Sequence, residues 1–281
     1  MRVTIALFAA LLTIGPARVA TIQTLGGLSY VADASDAHRL DLYLPAQRQG
    51  APLLIFVHGG AFMYGDRRDY STVGEELAHQ GIATAVVSYR LFPETDAEGS
   101  TQDVAAATAW MIQHAADYGI DSRNTFIAGH SSGAQIAALI GTNPQYLARF
   151  GLQLTSLRGV FAVSGAYDVR DLSDEPDTWQ KVDGHIYGDT PAARSRFSPS
   201  LHIDAATPPI VVSCGTSDDP GSCDRAIYFM RALKAAGRSA NAIREIGADH
   251  MGMLRALIDP KDPLNASLLD FIARYSTHTP Q

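Results

Sequence analysis

The 281-residue sequence holds only two cysteines, Cys214 and Cys223, too few for a disulfide framework or a cysteine-built metal cage. It has no H-E-x-x-H and no Cys/His cluster at ligand spacing, so no metal is expected. It also lacks a P-loop and a dinucleotide glycine fingerprint, so no cofactor is expected. Basic residues are the minority, 22 Lys and Arg against 29 Asp and Glu, for a net charge of −7. They form no block, and phosphate contacts need clustered Lys and Arg, so nucleic acid is a poor partner. Charged residues are 18% and hydrophobic residues 46%, which makes disorder, collagen and coiled coil poor readings. After the first segment no apolar run approaches the ~18 residues of a membrane span. No repeat, low-complexity tract or linker divides the chain. It reads as one domain over residues 21–281, and its oligomeric state stays open.

The first twenty residues stand apart. Arg2 precedes an apolar run from Val3 to Ile14, then Gly15, Pro16 and Ala17. A positive start, a short apolar stretch and small residues read as a signal peptide, residues 1–20, of a secreted or periplasmic protein. The alternatives are a buried N-terminal strand or an anchor too short to span comfortably. In an oxidising compartment Cys214 and Cys223 could pair across eight residues, a closure worth about 2–3 kcal/mol. The alternative is two unrelated thiols. Asn265-Ala266-Ser267 is a glycosylation sequon on paper.

What remains is rhythm. Alternating runs at 29–32 and 39–44 read as antiparallel strands. Near-continuous apolar runs at 52–57, 83–89, 125–128, 160–163 and 210–213, with a weaker one at 240–246, read as strands buried on both faces. Helical stretches at 70–80, 101–118, 132–140, 224–236 and 264–275 fill the gaps. Within 101–118, Val104, Ala107, Met111, Ala115 and Tyr118 form a helical stripe. The fold class is therefore α/β, an eight-stranded, mostly parallel sheet with helices on both faces. Residues 171–208, rich in proline, break the rhythm and read as an insertion or lid.

Function in such sheets collects at the C-terminal strand ends. There, T-F-I-A runs into Gly129-His130-Ser131-Ser132-Gly133 and then a helix. This is a G-x-S-x-G nucleophile elbow in its required strand–turn–helix setting. A serine is a weak nucleophile without an adjacent base and an acid to orient that base. Asp218 follows the strand at 210–213, and His250 follows the strand at 240–246. Asp219 is the rival acid, and Asp249 would serve only if its loop doubled back. His250 has a bland alternative as the first residue of a helix. His130 is expected to line the sheet top rather than titrate in catalysis. The first long apolar strand leads into His58-Gly59-Gly60-Ala61-Phe62, whose backbone N–H groups suit a developing oxyanion. Phe62, Tyr167, Trp179 and Tyr187 are candidate pocket residues, though each taken singly is more often packing.

These stretches resemble the α/β-hydrolase esterases and lipases. Beside them stand Gly65-Asp66, Ser88-Tyr89-Arg90-Leu91-Phe92-Pro93-Glu94 and Ser164-Gly165-Ala166-Tyr167-Asp168. The chain is similar to hormone-sensitive-lipase-like esterases, kynurenine formamidases and bacterial feruloyl and acetylxylan esterases. The resemblance implies Ser131, Asp218 and His250 as the triad, with Gly60, Ala61 and Ser132 as oxyanion-hole donors. Ala61 stands where many relatives have a third glycine, and His130 where the lipase-like group carries Asp. Ala61 still offers a backbone N–H, while His130 and the Ser164–Asp168 motif point toward the formamidase and feruloyl-esterase side. The implied activity is hydrolysis of short-chain or aryl esters. Arylformamidase and a non-catalytic binding module are the alternatives.

Overall fold

A computed structural model describes residues 21–171 and 184–277 of the chain. The strands are β1 (Gln23–Ser29), β2 (Arg39–Leu44), β3 (Leu53–Val57), β4 (Ala83–Val87), β5 (Thr125–His130), β6 (Gly159–Val163), β7 (Ile210–Gly215) and β8 (Ala240–Glu245). They form one eight-stranded sheet in the order β1-β2-β4-β3-β5-β6-β7-β8. Only β2 runs against its neighbours; from β4 across to β8 every pairing is parallel. The longer helices are α1 (Ser71–His79), α2 (Ala97–His114), α3 (Ser132–Thr142), α4 (Ser222–Ala235), α5 (His250–Ile258) and α6 (Pro263–Tyr275).

The continuous apolar runs have a simple cause. Successive side chains on a strand point to opposite faces, and both faces are covered. Leu53, Ile55 and Val57 join a core with Val104 and Met111 of α2, Ile136 of α3 and Phe229 of α4. Leu54 and Phe56 face a second core with Val73 and Leu77 of α1, Met253 of α5 and Leu268 of α6. Each fully buried side chain of this size is worth roughly 1.5–3 kcal/mol, so the sheet is held rigidly from both sides.

Three elements depart from the sequence-based expectation. The first strand is Gln23–Ser29, not 29–32. Gly26 and Gly27 mask its alternation: the register slips between Leu25 and Leu28, and the Gly27 N–H turns to Asp41 Oδ1 at 2.7 Å. Helix α2 starts four residues earlier than expected, where the Asp96 side chain caps the Gly99 N–H, and it ends at His114. Helix α5, which the sequence offered only as the alternative reading of His250, is formed; Asp249 caps it, with its side chain accepting from the Gly252 N–H.

Residues 191–201 form short helical turns, Pro191–Arg194, Ser195–Phe197 and Pro199–Leu201. They are tied to α3 by Gln135, which donates to the Phe197 carbonyl at 2.9 Å and accepts from the Tyr187 hydroxyl at 2.8 Å. The expected leader at 1–20, and residues 172–183 of the expected insertion with Trp179 among them, lie outside the described residues. Asn265 of the sequon is buried, its amide donating to the Leu257 carbonyl, so it is not presented for glycosylation in the folded chain.

Candidate active site

Four loops meet at the C-terminal edge of the parallel strands. They follow β3, β5, β7 and β8 and carry His58-Gly59-Gly60-Ala61, Ser131, Asp218 and His250. Ser131 sits between β5 and α3 with φ 58° and ψ −125°, a conformation that costs a non-glycine residue roughly 1–3 kcal/mol. Its N–H is held by the Val163 carbonyl at 2.9 Å. The flanking glycines are sterically required. A Cβ on Gly129 would stand 2.3 Å from the Gly133 carbonyl oxygen, and one on Gly133 would stand 2.2 Å from that of Val57.

Asp218 and His250 are brought together. The His250 Nδ1 is 2.8 Å from Asp218 Oδ1, and the carboxylate is almost sealed from solvent at 1% exposure while the imidazole is 33% exposed. Asp219 is not the partner: it is exposed and its backbone N–H donates to Asp218 Oδ1. Asp249 is occupied as the α5 cap. His250 is thus both the first residue of a helix and the partner of an acid.

The charges of this pair follow from their contacts. Burial would raise the Asp218 carboxyl, but hydrogen bonds from His250 and the Asp219 N–H outweigh it and hold the group well below the usual carboxylate range. The bond to Asp218 raises His250 above its ordinary value, against a smaller opposing effect of burial. Among the described residues, Asp218, Asp219 and His250 are the one group whose ligand atoms lie within 4.8 Å, as a metal would need. The direct Asp218–His250 bond makes that group an acid–base pair first.

The loop after β3 lies against the elbow. Gly59 approaches so closely that a Cβ there would stand 2.9 Å from Ser131 Cβ. Ala61 and Phe62 both take positive φ, 52° and 61°, and the N–H groups of Met63 and Tyr64 turn back to the Gly60 carbonyl. Among the described residues no acceptor engages the N–H of Gly60 or Ala61. The Ser132 N–H belongs to the first turn of α3, where a helix leaves its donors unpaired. The loop thus brings Gly59 against Ser131, and among the described residues the Gly60 and Ala61 N–H groups that follow it have no acceptor.

Two tyrosines that sequence reasoning gave no role hold this loop. The Tyr89 hydroxyl donates to the His58 carbonyl at 2.8 Å and its ring stacks on His58 at 4.3 Å. The Tyr70 hydroxyl accepts from the Gly59 N–H at 3.1 Å. Tyr89 lies two residues past the end of β4, inside the Ser88–Glu94 stretch of the resemblance, and those were the signals that could have found it.

The pocket candidates fare differently. Phe62 and Tyr187 meet edge-to-face at 5.6 Å but are both buried, so they pack beneath the loop. Tyr167 is fully buried, stacks on Phe229 at 4.8 Å and donates to the Ala162 carbonyl, which makes it a support of the sheet edge and not a pocket wall.

Residues 40–233 match the profile of the family described as BD-FAE. The isoprenylcysteine alpha-carbonyl methylesterase ICME of Arabidopsis thaliana is 28% identical over 239 residues, 79% of this chain and 55% of that protein. The kynurenine formamidase of Salmo salar is 24% identical over 258 residues, 90% of this chain and 83% of that protein. The chain spans about half the length of the methylesterases it matches. A truncated carbohydrate esterase from gut microbiota superposes with a TM-score of 0.80 at 23% identity, over 94% of this chain and 100% of that one. The shared fold is that of the α/β-hydrolases.

Proposed function

The chain belongs to the BD-FAE family, and on that footing we propose that it is a serine carboxylic-ester hydrolase acting on short-chain or aryl esters through an acyl-enzyme on Ser131. The observation that carries the reading is the 2.8 Å Asp218–His250 bond beside a serine held at φ 58° on a strand–helix elbow.

In this mechanism His250 Nε2 takes the Ser131 hydroxyl proton as Oγ bonds to the ester carbonyl carbon. The oxyanion rests on the N–H groups of Gly60, Ala61 and Ser132, each such donor being worth roughly 3–4 kcal/mol. Asp218 fixes the imidazole tautomer and stabilises the imidazolium. The tetrahedral carbon then expels the alkoxide, which receives the proton from His250. Water, deprotonated by the same His250, repeats the sequence on the acyl-enzyme and releases the acid. The segment at 171–208 is proposed to shape the pocket.

A second reading, arylformamidase, is favoured by the kynurenine formamidase match over 83% of that protein. The same atoms would attack an N-formyl aryl amide. Export of the chain, the reading that the Cys214–Cys223 disulfide supports, favours the esterase. No helix among the described residues is long and apolar enough to cross a membrane.

The test is hydrolysis of p-nitrophenyl esters from acetyl to long acyl, a feruloyl ester and N-formyl-kynurenine, by wild type and Ser131→Ala. Short-chain or aryl ester turnover that vanishes in the variant is expected. Turnover of the formyl amide alone would install the second reading, and full activity in the variant would remove Ser131 from the mechanism.

A further inference from the structure

His130 stands inside the elbow, next to the nucleophile, yet the mechanism above gives it nothing to do. Its side chain is buried, with the residue 1% exposed. Nε2 lies 2.9 Å from the backbone carbonyl oxygen of His250, 120 residues away, and the two imidazole rings are 4.7 Å apart. On its other edge the ring abuts the loop after β3, where a Cβ on Gly59 would stand 3.3 Å from His130 Nδ1. Nδ1 is itself buried and, among the described residues, has no partner.

We infer that His130 is a positioning residue: it sets the height of His250 over Ser131 by donating a hydrogen bond from Nε2 to the His250 carbonyl. The inference rests on the proposed Ser131–His250–Asp218 mechanism and adds a fourth side chain to it.

The chemistry of the site fixes one form of the ring. A carbonyl can only accept, so Nε2 carries the proton. The buried Nδ1, with no partner, is then a bare lone pair. A second proton there would bury an N–H without an acceptor and place a charge beside the imidazolium that His250 becomes. Burial, and then the nearby His250, accordingly push His130 down to about 4. The ring therefore stays neutral through the catalytic cycle, and its single donor keeps one direction.

The bond matters because the other hydrogen bonds of the turn before His250 run to the segment that carries Asp218, from the Gly247 N–H to Thr216 Oγ1 and from the Ser217 N–H to the Ala248 carbonyl. Asp218 grips Nδ1 and sets the ring plane, but α5 begins at His250 and the residues before it form a turn after β8. The His130 bond ties the His250 backbone directly to the element that carries Ser131. Base and nucleophile thus share one anchor, and displacements as small as ~1 Å can cost on the order of 100-fold in rate.

The experiment compares wild type, His130→Phe, His130→Gln and Ser131→Ala on p-nitrophenyl acetate. Rates are normalised to sites titrated with a p-nitrophenyl alkylphosphonate. Phe keeps the ring and loses the donor; Gln keeps a donor at similar reach and loses the ring. The expected result is a kcat about 10-fold or more lower in His130→Phe, with KM within about 2-fold, and substantial recovery in His130→Gln. Wild-type kcat per site in His130→Phe, or an equal loss in both variants, would overturn the inference. An active, titratable Ser131→Ala would instead overturn the mechanism beneath it. Should the variants not fold, ¹⁵N imidazole NMR of wild type at pH 7 still decides. A neutral His130 with the proton on Nε2 is expected; a proton on Nδ1 would contradict the bond.

Discussion

At the residue scale, the account turns on Asp218 and His250, whose mutual bond moves their protonation in opposite directions. His250 must be neutral to accept the serine proton, and its value is raised. The acid limb of kcat/KM should therefore have its midpoint above the ordinary ~6.5. In Asp218→Asn the raising partner is gone, so that midpoint should move to lower pH while kcat falls on the order of 10⁴-fold. A pH–rate profile from 5 to 9 measures both; a midpoint unmoved by the substitution would break the assignment. The stability signs also differ. The depressed Asp218 lends stability that is present above about pH 4 and fades as pH falls through its folded value. The raised His250 lends stability that is present below about pH 6.5 and fades as pH rises through its own. The residues that form this pair were legible in the sequence because each follows a strand in the right chain order. The contributions of His130, Tyr70 and Tyr89 were not, because their hydrogen bonds join positions 11 to 120 residues apart, which no local pattern encodes.

At the element scale, the acid loop is closed by a covalent tie. Cys214 is the next-to-last residue of β7, Cys223 is the second residue of α4, and their disulfide encloses Asp218. Replacing both cysteines by alanine should cost about 2–3 kcal/mol of stability. It should also lower kcat more than it changes KM, since the loop that fixes Asp218 loses its restraint. Urea unfolding and steady-state kinetics of the double variant measure this; unchanged unfolding and unchanged kcat would make the disulfide incidental. Elements read well from sequence where burial on both faces imposed unbroken apolar runs, as in β3 and β4. They read poorly where another demand competed. Two glycines at a bulge disguised β1, and the strand-end position that suggested His250 as a base left the start of α5 only an alternative reading, although its cap Asp249 lies immediately beside it.

At the scale of the whole molecule, the loop after β3 leads into a buried cation that ties it to the antiparallel end of the sheet. Arg67 is 7% exposed and contacts Asp41 Oδ1 of β2 and Asp36 Oδ1 at 3.0 Å each, with Asp66 at 3.6 Å. Its backbone N–H donates to Ser88 Oγ beyond β4. Removing the cation leaves Asp41, only 11% exposed, without its charge partner. Arg67→Leu should therefore destabilise the fold by about 3–5 kcal/mol, and a thermal unfolding midpoint equal to wild type would contradict that role. The α/β class and the order of its strands and helices were legible because the alternation of apolar runs and helical stripes is a global pattern. The packing of residues 184–201 onto α3 was not, because it depends on Gln135 and Tyr187 meeting across 52 positions. The proposed mechanism turns on one atom, Ser131 Oγ, and the most direct measurement is where a reactive acyl mimic attaches. Wild-type protein treated with a p-nitrophenyl alkylphosphonate should gain one alkylphosphonyl group, mapped by peptide mass spectrometry to the segment containing Ser131, with hydrolysis lost in proportion. Labelling at another residue, or full ester hydrolysis by a fully labelled protein, would contradict the account.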